Sequence, residues 1–169
     1  SLAAIGLISG VIIHHYQLVL ERLIILALYL PMMTATGGNT GSQAATVVIR
    51  AMALDPTTED KWLKILYKEL RISFMLSICV GALVFVKIAF LTTYSLLPTD
   101  MNFYFIGFII SLAIAIQVVT SALVGAGLPL LVNKLGGDPA VAASPAITTT
   151  VDITGLLIYF TIASYALNL

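Results

Sequence analysis

Residues 139–169 read PAVAASPAITTTVDITGLLIYFTIASYALNL, a long apolar run with one charged side chain, Asp152. A helix needs about 20 apolar residues to cross the hydrocarbon of a bilayer, and this run is long enough. Asp152 follows Pro139 by 13 residues and precedes Leu169 by 17, so such a helix carries it near the bilayer midplane. Inserting an aspartate there costs about 2.5–3.5 kcal/mol on translocon scales, which makes a functional role the default expectation, the plainer alternative being a protonated Asp packed against a helix partner.

The rest of the chain is punctuated in the same way. Residues 1–20, 23–49 and 101–133 carry no charge, and 72–93 carry only Lys87. Five transmembrane helices therefore fit, near 1–17, 22–53, 62–95, 101–134 and 140–167. Strands of an outer-membrane barrel run to about 10 residues and alternate strictly; these runs are far longer and do not alternate. The fold class is all-α, a polytopic membrane protein. Composition agrees, since only 9% of the residues are charged and 60% are hydrophobic, against about 25% charged in a soluble domain.

Other classes fall away. Eight basic and eight acidic residues cancel, leaving no electrostatic footprint for nucleic acid. The single Cys79 forms no intrachain disulfide, and no short apolar segment leads into a small-residue cleavage site. Neither a Ser–His–Asp order nor a Walker or HExxH motif is present, so an enzyme reading has no catalytic set. Residues 1–169 are read as a single transmembrane domain. Its first helix starts at Ser1 with no basic flank, so further residues are expected upstream in the whole protein.

Arg50, Lys61, Lys64, Lys68 and Arg71 flank the second loop, and Lys134 lies in the fourth. The positive-inside rule makes that side cytoplasmic, with the N-terminus inside, the C-terminus outside and the chain multi-pass in the cell's inner (plasma) membrane. Asp55 to Asp60 read as a helix stop and a new cap on Thr57 or Thr58, and 60–71 as an amphipathic extension of the third helix. Arg22 and Lys87 fall near outer helix ends, where they can snorkel. Seven acids, Glu69 among them, are expected at or near helix ends. The adjacent His14 and His15 point about 100° apart and suit the outer interface. Tyr16, Trp62, Tyr94, Tyr104 and Tyr165 fit an aromatic belt.

Two polar stripes stand out. In the last helix, Ser144, Thr148 and Asp152 recur at i, i+4 and i+8, continued by Gly155 and Tyr159, and so share one face. Oxygen atoms in a column suit a hard cation. Pro145 donates no backbone N–H, which frees a carbonyl one turn earlier. For Thr149, Thr150 and Thr154 the plainer reading is a hydroxyl bonded back to its own helix. The second helix carries Asn39, Gln43, Thr46 and Arg50 on one face, beside Gly37-Gly38-Asn39-Thr40-Gly41. Adjacent glycines there predict a locally opened helix or backbone turned to a cavity. Gln117, Ser121 and Gly125 repeat the theme more faintly on the fourth helix.

The stretch PMMTATGGNTGSQ from Pro31 to Gln43, with Ile49-Arg50-Ala51 and TVDITGLLIY from Thr150 to Tyr159, resembles the MgtE family of magnesium channels and transporters. The likeness runs from Glu21 through Leu135-Gly136 and Asp138-Pro139 to the last helix. It implies a homodimer of five-helix subunits, with the ion path at the subunit interface and Mg²⁺ as the transported ion. The family's central ion-binding Asp maps onto Asp152, and a backbone carbonyl one turn earlier maps onto Thr148. The family position matching Ser144 is often Asn, a departure at the inner binding site. Gly38, Asn39, Gln43 and Gly155 are the further pore-lining residues expected. Members often also carry a cytoplasmic N domain and paired CBS domains; these residues contain neither.

One chain offers one midplane carboxylate. A two-fold axis beside Asp152 would double the charge to balance a divalent cation, and Mg²⁺ keeps several waters when bound. A hydrated ion gripped through its waters is the mechanism expected. The alternative is a proton- or sodium-coupled transporter of divalent cations that uses Asp152 as its coupling carboxylate. A membrane scaffold without transport leaves the midplane Asp unexplained.

Overall fold

The computed structural model describes residues 2–54, 61–92 and 102–167, with the side chains of 2–5 and 141–145 outside the description. Among these described residues six helices follow in order: α1 (Leu2–His15), α2 (Gln17–Arg22), α3 (Ile24–Leu54), α4 (Trp62–Leu91), α5 (Phe103–Lys134) and α6 (Pro139–Leu167). No strand occurs among the described residues. Among the described residues, three segments are long and apolar enough to cross a membrane: α4, α5 and Ala146–Leu167 of α6. At 31 residues α3 matches them in length, but its Thr- and Gly-rich middle dilutes its hydropathy.

The chain departs from the sequence reading at its start. The connection expected between residues 17 and 22 is itself helical, and the breaks fall at Tyr16 (φ −96°, ψ 18°) and Leu23 (φ −129°, ψ 77°). Packing accounts for both. The Tyr16 ring turns inward to stack on Phe160 at 4.8 Å, and Leu23 is fully buried. The Asp55–Asp60 loop, its Thr57 or Thr58 cap and Tyr94 lie outside the described residues.

The other ends follow local chemistry. Asn102 caps α5 by accepting the Phe105 N–H at 3.2 Å. A Schellman turn ends the helix: Gly136 N–H donates to Asn133 O and Gly137 N–H to Val132 O, both at 2.9 Å. Gly136 takes φ 80° there, a left-handed conformation that glycine adopts without a Cβ penalty. Asp138 caps α6 by accepting the Ala140 N–H at 2.8 Å, and Pro139 fills the first helical position.

α5 is the central helix, packed against α3, α4 and α6. Gly37 faces Gln117 and Ser121 while Gly41 faces Ser121 and Gly125, so α3 and α5 run parallel. Gly37 meets Val151 whereas Gly41 also reaches Ile147, so α6 runs antiparallel to α3. α4 turns one stripe inward: Glu69, Ser73, Ser77, Val84 and Ile88 are buried. Its other faces display Phe74, Met75, Ile78, Leu83 and Phe90, as a lipid-facing helix should.

Glu69 corrects one expectation. It lies about two turns inside α4 and is only 7% exposed, because the helix begins at Trp62 and its packing stripe passes through this position. Lys64, Lys68 and Arg71 in the same turns are exposed, as an amphipathic extension requires. Lys87 places its ammonium 4.6 Å from the centre of the Tyr29 ring, a cation–π contact.

A large apolar cluster joins Leu26, Met33, Ile110, Ile114 and Phe160 at the end where α3 and α5 begin. Within it, the buried Tyr159 hydroxyl donates to Leu26 O at 3.0 Å and ties α6 to α3. Interhelical hydrogen bonds in membranes average about 0.6 kcal/mol. Tyr159→Phe is expected to cost about that much, lowering the unfolding midpoint in detergent slightly and leaving transport unchanged.

Candidate functional site

Asp152 lies on α6 near mid-height of the bundle. Its neighbour Val151 packs against Gly37 and Gly41 of α3, and the Val151 carbonyl meets Gln117 of α5. The carboxylate is half-buried, and Thr148 one turn earlier is exposed. Gly38 of α3 stands opposite Thr148: a Cβ at Gly38 would sit 3.7 Å from Thr148 Cγ2, in ordinary contact. Asn39 and Gln43 continue from Gly38 as exposed side chains. Gly38 and Thr148 thus meet where antiparallel α3 and α6 adjoin, while the Asn39 and Gln43 stripe lies about 100–140° further round α3 and turns outward. Ser144 belongs to α6, and its side chain lies outside the described residues.

The hydroxyls on these helices are largely engaged by their own backbone. Thr150 Oγ1 donates to Ala146 O and Thr154 Oγ1 to Thr150 O, each at 2.8 Å. On α3, Thr36, Thr40 and Thr46 donate to Met32 O, Thr36 O and Ser42 O. Thr46 therefore stays on the stripe but offers only acceptor capacity. Asn39, Gln43 and Asp152 make no hydrogen bond or ion pair among the described residues. Two amides and a carboxylate, all at least partly exposed, thus have no side-chain partner among the described residues.

Gly155 sits differently from the residues with which it was grouped. It is buried, and a Cβ there would collide with the Gln117 amide. Gly37 faces the same amide from α3, where a Cβ would stand 2.7 Å from Gln117 Nε2. The Gln117, Ser121 and Gly125 face, expected to expose backbone to a cavity, is buried instead. Gly125 meets the backbone of Gly41 so closely that a Cβ on it would overlap the Gly41 carbonyl. That close approach is what the small residues provide.

No group of three or more His, Cys, Asp or Glu side chains comes together among the described residues. A dehydrated Mg²⁺ or Ca²⁺ takes six or more oxygens, and the described residues bring no cluster of carboxylates together to supply them. His14 and His15 are both exposed, and His15 stands edge-on to Tyr16. At the far end, a cavity of about 370 Å³ is lined by Ile49, Met52 and Ala53 of α3, Asn133 of α5, and Asp138, Pro139 and Ala140. Its Asp138 carboxylate is engaged in capping α6.

The sequence reading missed the Gln117 contact with Val151. The available signal was an amide in the middle of a charge-free helix, which in an apolar setting must find a partner.

Comparison with known proteins bears on the same elements. The MgtE family model, described as a divalent cation transporter, matches residues 30–162. The chain is 34% identical over 163 residues to the "Magnesium transporter MgtE" of Thermus thermophilus, covering 96% of this chain and 34% of that protein. The Bacillus subtilis protein of the same name is 34% identical over 160 residues, covering 95% of this chain and 34% of that one. The one from Enterococcus faecalis is 30% identical over 164 residues, covering 97% and 34%. The chain spans about a third of the length of these relatives.

Proposed function

Because the chain belongs to the MgtE family of divalent cation transporters, we propose that it carries magnesium ions across a membrane through a pore between two copies of itself. α3 and α6 of each subunit line the path, and Asp152 of each holds the hydrated ion. α1 and α2 together make the first of five crossings, and α3 to α6 the others. The end bearing Arg50, Lys64, Lys68, Arg71 and Lys134 faces the cytoplasm of a cell whose inner membrane holds the protein.

One observation carries this reading. At mid-height of an apolar bundle, Asn39 and Gln43 of α3 and Thr148 of α6 are exposed and Asp152 is half-buried, on two helices that meet at Gly38 and Thr148. Hydrocarbon cannot solvate such a face. A second copy related by a two-fold axis covers it with an identical face and encloses a polar path. Two Asp152 carboxylates then supply charge −2, which matches Mg²⁺.

The ion keeps its water. Mg²⁺ demands near-octahedral oxygen ligands and dehydrates reluctantly, and the α3/α6 face supplies one carboxylate and few other side-chain oxygens per subunit. Holding the hydrated ion by hydrogen bonds from its waters to the carboxylates satisfies the charge. It also leaves binding weak enough for release. Thr148 and Gly38, one turn from Asp152, border the path where the helices adjoin, and the Asn39 and Gln43 amides can bond further waters.

The direct test is Mg²⁺ uptake into liposomes by the wild type and by Asp152→Ala. Uptake is expected for the wild type alone, independent of pH and Na⁺ gradients; equal uptake by both defeats the assignment. The hydrated-ion mechanism has its own test. Cobalt hexammine has an octahedral shell comparable to that of hydrated magnesium but exchanges its ligands extremely slowly. It is expected to block wild-type uptake, with Ca²⁺ passing poorly. Absence of block at concentrations well above that of Mg²⁺ would rule out recognition through water while leaving Asp152 in the site.

A further inference from the structure

Gln117 is fully buried on α5, in a run without a single charge. Its Nε2 donates to the Val151 carbonyl at 3.0 Å, across to α6. A carbonyl only accepts, so the amide must present its NH₂ end there. At the other end Thr120 Oγ1 stands 3.4 Å from Gln117 Oε1, farther than the 3.1 Å to its own-helix acceptors Ile116 O and Gln117 O. The Val151 carbonyl and the Asp152 nitrogen belong to one peptide group. The amide of Gln117 therefore grips the peptide unit from which Asp152 projects.

The room for this grip comes from two glycines on the two helices that carry the polar face. Gly155 lies three residues beyond Asp152 on α6, and Gly37 lies beside Gly38 on α3. A Cβ at either position would press on the Gln117 amide. Around this amide the packing of α6 is apolar, with Ile147, Val151, Leu156 and Phe160 buried. Apolar ridges leave a helix some freedom to roll, whereas a directional hydrogen bond to one peptide group fixes azimuth and depth together. A side-chain tip rides roughly 5–6 Å from the helix axis, so a roll of about 20° moves it by about 2 Å. That displacement is enough to break a hydrogen bond of about 2.7 Å to a water of the ion's shell.

We propose that Gln117 is the positioning residue for Asp152, holding α6 in the one rotation that aims the carboxylate at the ion path and so setting the affinity for the hydrated cation. The inference rests on the pore reading above. It differs from a purely structural role, which would change stability and leave ion recognition alone.

The test uses Gln117→Met, which keeps most of the volume and removes the donor, and Gly155→Ala, which keeps the donor and displaces it. Both are measured in liposomes for the Mg²⁺ dependence of the initial rate and for block by cobalt hexammine, with unfolding followed in detergent. The expected result is a KM raised by ~10-fold and a matching loss of block, with a much smaller change in maximal rate. The double variant should be no worse than the more affected single one, since both act through the same contact. If Gln117→Met does not fold, Gly155→Ala carries the test alone. Wild-type KM and wild-type block in a folded variant overturn the proposal. Asp152→Asn run alongside separates the two claims: its loss of uptake upholds the pore reading whatever Gln117 does, and uptake at the wild-type rate removes the pore reading and this inference together.

Discussion

Asp152→Asn is expected to yield folded protein that no longer conducts Mg²⁺. The substitution preserves size and most hydrogen bonding and removes only the charge. Because the proposed path is built on a two-fold axis, one codon change removes both negative charges facing the ion. A Mg–O bond of about 2.1 Å followed by a hydrogen bond of about 2.7 Å puts each carboxylate oxygen at most about 5 Å from the metal. At an effective dielectric of about 20, a unit charge at that distance from a divalent ion is worth several kcal/mol. Losing two should lower uptake at sub-saturating Mg²⁺ by more than ~100-fold. The half-buried carboxylate has no ion-pair partner among the described residues, so its removal breaks no salt bridge. Size-exclusion profiles in detergent should match the wild type, and wild-type flux through the variant would contradict the charge-balance argument.

Gly125→Leu is expected to have the other large effect, on assembly of the bundle rather than on the ion. Gly125 rests on the backbone of Gly41, so even a methyl group there would overlap the Gly41 carbonyl. Backbone cannot move aside as a flexible side chain does, and α3 and α5 must part. Overpacking costs about 1–3 kcal/mol where side chains can adjust, and here the cost should exceed that. The expected outcome is aggregated or poorly inserted protein, read from yield and monodispersity. Gly38 provides the contrast. A Cβ there meets only Thr148 Cγ2, at 3.7 Å, so Gly38→Ala should fold and transport normally. Gly38→Leu should fold but obstruct flux, because its side chain would occupy the polar face itself. Normal yield of Gly125→Leu would mean that the α3–α5 crossing is looser than described.

The membrane class, the helical fold and the outlier status of Asp152 were legible in the amino-acid order. Charge-free runs of this length have one physical outcome in a bilayer, and a lone midplane carboxylate is too costly to be incidental. Periodicity also identified which polar residues share a face, and the two helices that carry them meet at Gly38 and Thr148. The back-bonded hydroxyls of Thr150 and Thr154 were legible for the same local reason.

What hydropathy could not read is which way each face turns. In water, an apolar stripe points to the core; in a bilayer, core and solvent are both apolar, and the distinction is lost. Hence the Gln117, Ser121 and Gly125 face read as a cavity lining, although it is the buried seam against α3. Gly155 read as part of the polar path, although it makes room for an amide from a neighbouring helix. Glu69 read as a helix end, although it lies on the packing stripe of α4. Glycines and small polar residues serve equally well at a helix crossing, beside an ion and around a buried amide. Only the tertiary structure, by bringing Gly41 against Gly125 and Gly37 and Gly155 around Gln117, determined which glycine does which.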